Sequence, residues 1–212
     1  GSEMSIRGRY QRSSSGGGKW TDYKKVPPVW KIQWQGLTFR LKTMGFKHTG
    51  IFPEQAVNWQ FAMEKIRSAN RPPEDPVRVL NLLGYTGAAT LACMKAGAMV
   101  THVDASKGMV QWARENAEAS GIADRPVRWL VDDCLKFVQR EQRRGRTYDG
   151  IIMDPPSYGR GPGGEVWKLE EQLSSLIGQC VPIRTEQPPV FIVNSYTTGL
   201  SPSVMEYLLG VQ

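Results

Sequence analysis

The chain has 212 residues, 40% of them hydrophobic, and a formal net charge of +7. That length supports one principal core with at most a small appendage, and no apolar run approaches the roughly 18 residues of a membrane span. Three cysteines without C-x-x-C spacing (Cys93, Cys134, Cys180) and two histidines (His48, His102) suggest neither a disulfide framework nor a metal site, so a soluble, cytoplasmic protein is expected.

The charge is unevenly placed. Residues 1–48 hold ten Lys or Arg and two acids, while the remaining residues hold seventeen and eighteen, which gives +8 against −1. A basic segment beside a near-neutral domain suits phosphate backbones, and a solvated tail is the plain alternative. Tyr10, Trp20, Tyr23, Trp30 and Trp34 interleave with these charges and offer stacking surfaces for unpaired bases. Because Ser13 to Gly18 are all serine or glycine, residues 1–28 are expected to form a basic flexible segment, with structure beginning after them.

Val29 to Trp34 and Leu37 to Lys42 both alternate around the Gln35-Gly36 turn, the signature of a β-hairpin with one apolar face; hairpin and following motif occupy 29–53. Pro53 suits a first helical position, and Trp59, Met63 and Ile66 mark one face of the helix that follows. The charged, proline-rich run from Arg71 to Pro76 breaks the chain before Val79-Leu80-Asn81-Leu82-Leu83, an apolar strand without polar alternation, as in a parallel sheet buried on both faces. It runs into Gly84-Tyr85-Thr86-Gly87 and then a helix of small residues, where the two glycines would let backbone approach a ligand. Ala98 to Val103 form a second strand ending in Asp104, twenty residues beyond Gly84, where one carboxylate can accept from both hydroxyls of a ribose. Ser106 caps a helix ended by Gly121, and Val127 to Val131 form a third strand ending in Asp132-Asp133-Cys134. A helix from about Leu135 to Arg144 precedes a fourth strand, Gly150 to Met153, which leads into Asp154-Pro155-Pro156-Ser157-Tyr158. Trp167, Leu169, Leu173 and Leu176 line a helix closed by Gly178, Val190 to Val193 form a fifth strand, and Ser201-Pro202 start a last helix. The fold class is therefore α/β, a Rossmann-like, doubly wound and mostly parallel sheet preceded by a small β-hairpin.

Asn81 to Gly87, His102-Val103-Asp104-Ala105-Ser106, Val131-Asp132-Asp133 and Asp154-Pro155-Pro156-Ser157-Tyr158 follow in that order, with His48-Thr49-Gly50 and Gln55 before them. With these residues the chain resembles the class I S-adenosylmethionine-dependent methyltransferases, and within them the ribosomal RNA large-subunit methyltransferase I and K types. The resemblance implies S-adenosylmethionine as cofactor, bound by a methyltransferase domain over residues 54–212, with Gly84, Tyr85, Thr86 and Gly87 flanking its methionine part and Thr49, Gln55 and Asn81 also contacting it. Asp104 would hold its ribose and Asp133 its adenine amine, with Ala105 and Ser106 also contacting the cofactor and Cys134 near the adenine through its backbone. Asp154, Pro155, Ser157 and Tyr158 would face the target, and Lys47 and Arg160 would contact the substrate. Gly159 to Glu165 reads as a mobile lid or a plain surface loop.

Methylating carbon five of a pyrimidine needs a cysteine thiolate in the cleft, and neither the fourth nor the fifth strand ends in one. The expected target is a base nitrogen, guanine in ribosomal RNA being favoured, with RNA as partner and no membrane or metal. A methyltransferase for a protein or small molecule, or a non-catalytic RNA-binding module, stay open as alternatives. The resemblance also implies seven strands where five are found, so the natural chain is expected to continue past Gln212.

Overall fold

The computed structural model describes residues 8–13, 18–45, 47–160 and 166–194. Its centre is a five-stranded parallel sheet in the order β11-β8-β5-β6-β7, formed by β5 (Arg78–Leu82), β6 (Met99–Asp104), β7 (Val127–Val131), β8 (Gly150–Met153) and β11 (Val190–Val193). The chain leaves β5 to one side for β6 and β7, then crosses back to β8 on the other. A crevice opens at the carboxyl ends of β5 and β8, where the winding reverses.

Successive side chains of a strand point to opposite faces, so each face has its own helices. Val79, Val100, Ile152 and Ile192 pack under α1 (Ala56–Ser68) and α2 (Ala88–Lys95), joined by Ala117 of α3 (Lys107–Ala119). Leu80, Leu82, Val103, Ile151 and Met153 pack under α4 (Cys134–Arg143) and α5 (Leu169–Cys180). Leu80, Leu82 and Val79 are wholly buried. That is why β5 carries no polar alternation beyond Asn81. On α1, Trp59, Met63 and Ile66 are buried, as their spacing requires. No helix among the described residues is long and apolar enough to cross a membrane.

The expected hairpin is β3 (Trp30–Trp34) with β4 (Leu37–Leu41), paired antiparallel around Gln35 and Gly36, both at positive φ (47° and 72°), the backbone a tight hairpin turn demands. Leu37, Phe39 and Leu41 enter the core with α1 and α2. Polar side chains of α3 complete the attachment along β4. Ser120 Oγ accepts from Thr38 N–H at 2.9 Å and donates to Thr38 O at 3.1 Å; Asn116 Oδ1 accepts from Arg40 N–H at 2.8 Å, and Trp112 Nε1 donates to Arg40 O at 2.8 Å. The hairpin is thus sewn to the domain through backbone groups that would otherwise face water.

Three local expectations are corrected. Structure does not wait until residue 29: β1 (Gly8–Arg12) and β2 (Gly18–Asp22) pair antiparallel, with Tyr10 and Trp20 directly opposite and their ring centroids 5.5 Å apart. The pairing of two aromatics across the strands outweighs a composition that alone favours flexibility. Trp167 lies not in the fifth helix but in β10 (Val166–Lys168), which pairs with β9 (Tyr158–Arg160); the helix starts at Leu169 and runs through Gly178 to Cys180. The glycine there is an interior residue, not a terminator. The proposed lid falls partly in this hairpin, while its residues 161–165, the side chain of Arg160 and the last helix from Ser201 fall outside the described residues.

Candidate functional site

A cleft enclosing about 530 Å³ of space, part of it open to solvent, lies over the carboxyl ends of β5, β8 and β11 and under the start of α1. Gln55, Asn81, Gly84, Tyr85, Thr86 and Asp154 line it, six of the site residues expected from the sequence; Phe52, Asn58 and Asn194 line it too without having been singled out, and Trp59, expected only on the apolar face of its helix, joins them.

The turn after β5 is built around two non-glycine residues in the left-handed region, Leu83 (φ 56°) and Tyr85 (φ 51°). Such backbone costs about 1–3 kcal/mol per residue and persists only where surroundings impose it. Asp104 is one such constraint. Its Oδ2 accepts from Tyr85 N–H at 2.9 Å and its Oδ1 from Ser106 N–H at 2.8 Å, so one carboxylate ties the ends of β5 and β6 together. Burial raises its pKa, and these two hydrogen bonds oppose the rise. Gly84 has a reason besides the one its sequence suggests. A Cβ there would stand 2.4 Å from Cε1 of His102, so the buried imidazole behind the turn is by itself enough to require glycine. His102 is held by Thr90 Oγ1 at 2.9 Å from Nδ1, Thr90 in turn receives Asn81 Nδ2 at 2.8 Å, and burial drops the imidazole pKa to about 3. Asn81 therefore braces the turn as well as lining the cleft. Gly87 does need its positive φ (85°), as it opens α2 with a Cβ position only 2.8 Å from the Ala113 methyl.

The segment before α1 closes the turn from above. Thr86 Oγ1 donates to Gly50 O at 2.6 Å, Thr86 O accepts from Asn116 Nδ2 at 2.9 Å, and Gly50 (φ 109°) sits where any Cβ would enter the Trp112 ring. Thr49 accepts from Lys42 N–H through its carbonyl at 3.1 Å, and Lys47 is exposed. The rings of His48, Phe52 and Tyr85 form a column with centroid spacings of 4.7 and 5.4 Å that leads from the surface to the turn. Burial, then the charge of Asp104, pushes the Tyr85 hydroxyl up to about 12, so it stays protonated.

At the end of β7, Asp133 caps α4, its Oδ1 accepting from Lys136 N–H at 2.9 Å, while Asp132 pairs with Arg140. Cys134 is buried against the Leu83 backbone and burial raises its thiol pKa. Ala105 is half-buried, and exposed Ser106 caps α3.

Asp154 is the most informative residue. Its Oδ1 is buried without a hydrogen-bond partner, and burial, reinforced by the charge of Glu54, lifts its pKa to about 6. A buried acceptor left empty costs about 1–3 kcal/mol, and such a group in a cleft marks a functional site. Pro155 is buried. Pro156 O accepts from Trp167 Nε1 at 2.7 Å and Ser157 O from Leu169 N–H at 3.1 Å, so the rigid turn is backed by β10 and the start of α5. Ser157 and Tyr158 are exposed beside it.

The model of the family described as S-adenosylmethionine-dependent methyltransferase matches residues 1–177. The chain belongs to that family. It is 30% identical over 158 residues to ribosomal RNA large subunit methyltransferase I of Photobacterium profundum, covering 74% of this chain and 35% of that protein. To ribosomal RNA large subunit methyltransferase K/L of Shewanella frigidimarina it is 25% identical over 176 residues, covering 82% of this chain and 23% of the other. It thus spans about a quarter to a third of the length of these curated relatives. A crystal structure of an S-adenosylmethionine-dependent methyltransferase from Agrobacterium tumefaciens superposes with a TM-score of 0.88 at 38% identity, covering 96% of this chain and 64% of that one.

The cofactor of this family is S-adenosylmethionine, and the residues present fit it. The Asp104 carboxylate, fixed by two backbone donors, has lone pairs left over that would accept from a ribose diol, and the Asp154 carboxylate in the cleft would suit a cationic sulfonium. Asp133 spends Oδ1 on its helix cap, and its other oxygen would accept from an adenine amine.

Proposed function

We propose that the protein transfers a methyl group from S-adenosylmethionine to a nitrogen of an RNA base, with guanine in ribosomal RNA favoured, in the cytoplasm. The observation that carries this reading is the empty, buried Oδ1 of Asp154 in the same cleft as the Gly84 to Gly87 turn. When bound, the cofactor supplies a methyl carbon on a positively charged sulfur. The base nitrogen would take that methyl as the C–S pair returns to sulfur, and Asp154 or solvent would take the proton the nitrogen loses. Asp154 accepts a hydrogen bond from the base and holds its nitrogen in line, and positioning of this kind supplies most of the acceleration. A nitrogen lone pair needs no covalent activation.

The cysteines agree. None of the three lines the cleft, all are buried, and burial raises the thiols of Cys93 and Cys180 to about 12 and raises that of Cys134 as well. The thiolate that carbon-five methylation requires is not available there. RNA is favoured over protein or small molecules by β1 and β2, where Arg9, Arg12 and Lys19 are exposed beside the Tyr10–Trp20 pair, as single-strand binders combine charge and stacking. The names of the curated relatives support the same substrate class. Incubating total RNA from cells lacking the gene with methyl-labelled S-adenosylmethionine tests this. Label is expected in the RNA fraction; label confined to protein or small molecules from a parallel extract contradicts it.

A further inference from the structure

Asp154 is not alone at its edge of the sheet. Ile152 and Ile192 pair in register on adjacent parallel strands, and two residues beyond them, on the same face, stand Asp154 and Asn194. Both line the cleft. Asn58, in the first turn of α1, reaches down to Asn194: its Nδ2 donates to Asn194 Oδ1 at 2.9 Å and to Gln55 Oε1 at 2.7 Å. Both protons of that amide are used, so the Asn194 side chain is gripped by its oxygen and its Nδ2 faces away from Asn58. Among the described residues this Nδ2 donates to no group.

An empty acceptor on β8 and an available donor on β11 therefore stand side by side on one cleft wall. We propose that Asn194 is a second substrate-contacting residue, donating from Nδ2 to a ring nitrogen or carbonyl oxygen of the target base while Asp154 accepts from its N–H. Asn58 is the positioning residue that fixes the amide's orientation. Every nucleobase presents an acceptor next to a donor along its pairing edge, and two contacts hold a planar base against rotation where one does not. The assignment rests on the methyl-transfer reading above, and adds a residue pair that the sequence motifs do not contain. Asn194 follows an apolar strand with no motif around it, and Asn58 looks like any polar helix residue.

The test uses the full chain, methyl-labelled S-adenosylmethionine and total RNA from cells lacking the gene. Asn194→Ala is expected to lower kcat tenfold or more, with cofactor affinity by calorimetry within threefold of the parent. Asn194→Asp, which replaces the donor by an acceptor, is expected to lower it further. Asn58→Ala is expected to lower kcat in the same way, and the Asn58→Ala/Asn194→Ala double variant to be no slower than Asn194→Ala alone, since the two act as one unit. Melting temperatures of all variants are measured so that only folded proteins are compared. If a substitution unfolds the chain, Asn194→Ser and Asn58→Ser replace it. Turnover unchanged in Asn194→Ala, a loss residing in cofactor affinity, or additive losses in the double variant would each overturn the proposal. If the parent protein itself labels no RNA, the methyl-transfer reading fails and the residue assignment falls with it.

Discussion

Replacing Asp154 by Asn is expected to stabilise the cofactor-free protein while the corresponding Asp154→Ala variant abolishes most turnover. The carboxyl has an ordinary value of 3.8 and about 6 in the folded chain, raised by burial and then by Glu54. A carboxyl with a higher folded than unfolded pKa binds its proton more tightly when native, so wild-type stability falls as pH rises from about 4 through 6. At 1.36 kcal/mol per pH unit the gap bounds the loss at about 3 kcal/mol, and partial access to solvent reduces it to about 1–2 kcal/mol. Asparagine keeps the shape and the acceptor without the charge, and Glu54 favours its new amide protons. Urea denaturation at pH 8 is expected to show a gain of about 1–2 kcal/mol for Asp154→Asn, shrinking towards pH 4.5 where the wild-type carboxyl is protonated. A gain independent of pH, or a net loss at pH 8, would refute the view that this carboxylate is held at a cost. Asp154→Ala is expected to reduce transfer to RNA about a hundredfold or more through lost orientation. A stability gain at the position where activity is lost is the pattern of a group retained for chemistry.

Asp104→Ala removes the proposed acceptor of two ribose hydroxyls and also orphans Tyr85 N–H and Ser106 N–H; calorimetry is expected to show S-adenosylmethionine affinity weakened by about 2–4 kcal/mol, and affinity within threefold of wild type would sink the assignment. The same variant should lose about 1–3 kcal/mol of stability without cofactor, read from its urea midpoint. Gly84→Ala drives a methyl into the His102 ring and is expected to cost about 1–3 kcal/mol, whereas an unchanged midpoint would show that the turn relaxes freely. Replacing Cys93, Cys134 and Cys180 together by alanine, which avoids burying hydroxyls at these sites, is expected to leave turnover within about tenfold in a folded protein; complete loss from one of them would point to a thiolate mechanism.

The sheet was legible because its strands are buried on both faces. Val79-Leu80-Asn81-Leu82 and Gly150-Ile151-Ile152-Met153 have no other use for such runs, and Asp104 and Asp154 announce themselves as acids at strand ends. The walls of the cleft were not legible. Asn58 and Asn194 come together over 136 positions of chain through a single hydrogen bond, and nothing local at either position signals the other. At Gly84 the sequence shows that glycine is needed but not the imidazole that excludes a side chain, because His102 lies on the neighbouring strand. The first hairpin was missed because its evidence, Tyr10 facing Trp20, exists only once the register is known. Gly178 reads as a helix end because glycine often is one, but the buried Ile177 and Cys180 on either side keep it in the helix.

The central claim is methyl transfer to a base nitrogen without a covalent enzyme–RNA intermediate, and the chemical identity of the product tests it most directly. RNA labelled by the purified protein would be digested to nucleosides and the labelled species identified by mass spectrometry against methylated standards. An N-methylated guanosine is the expected product. A pyrimidine methylated at carbon five, or a denaturation-resistant adduct with RNA carrying a fluorinated pyrimidine, would contradict the account.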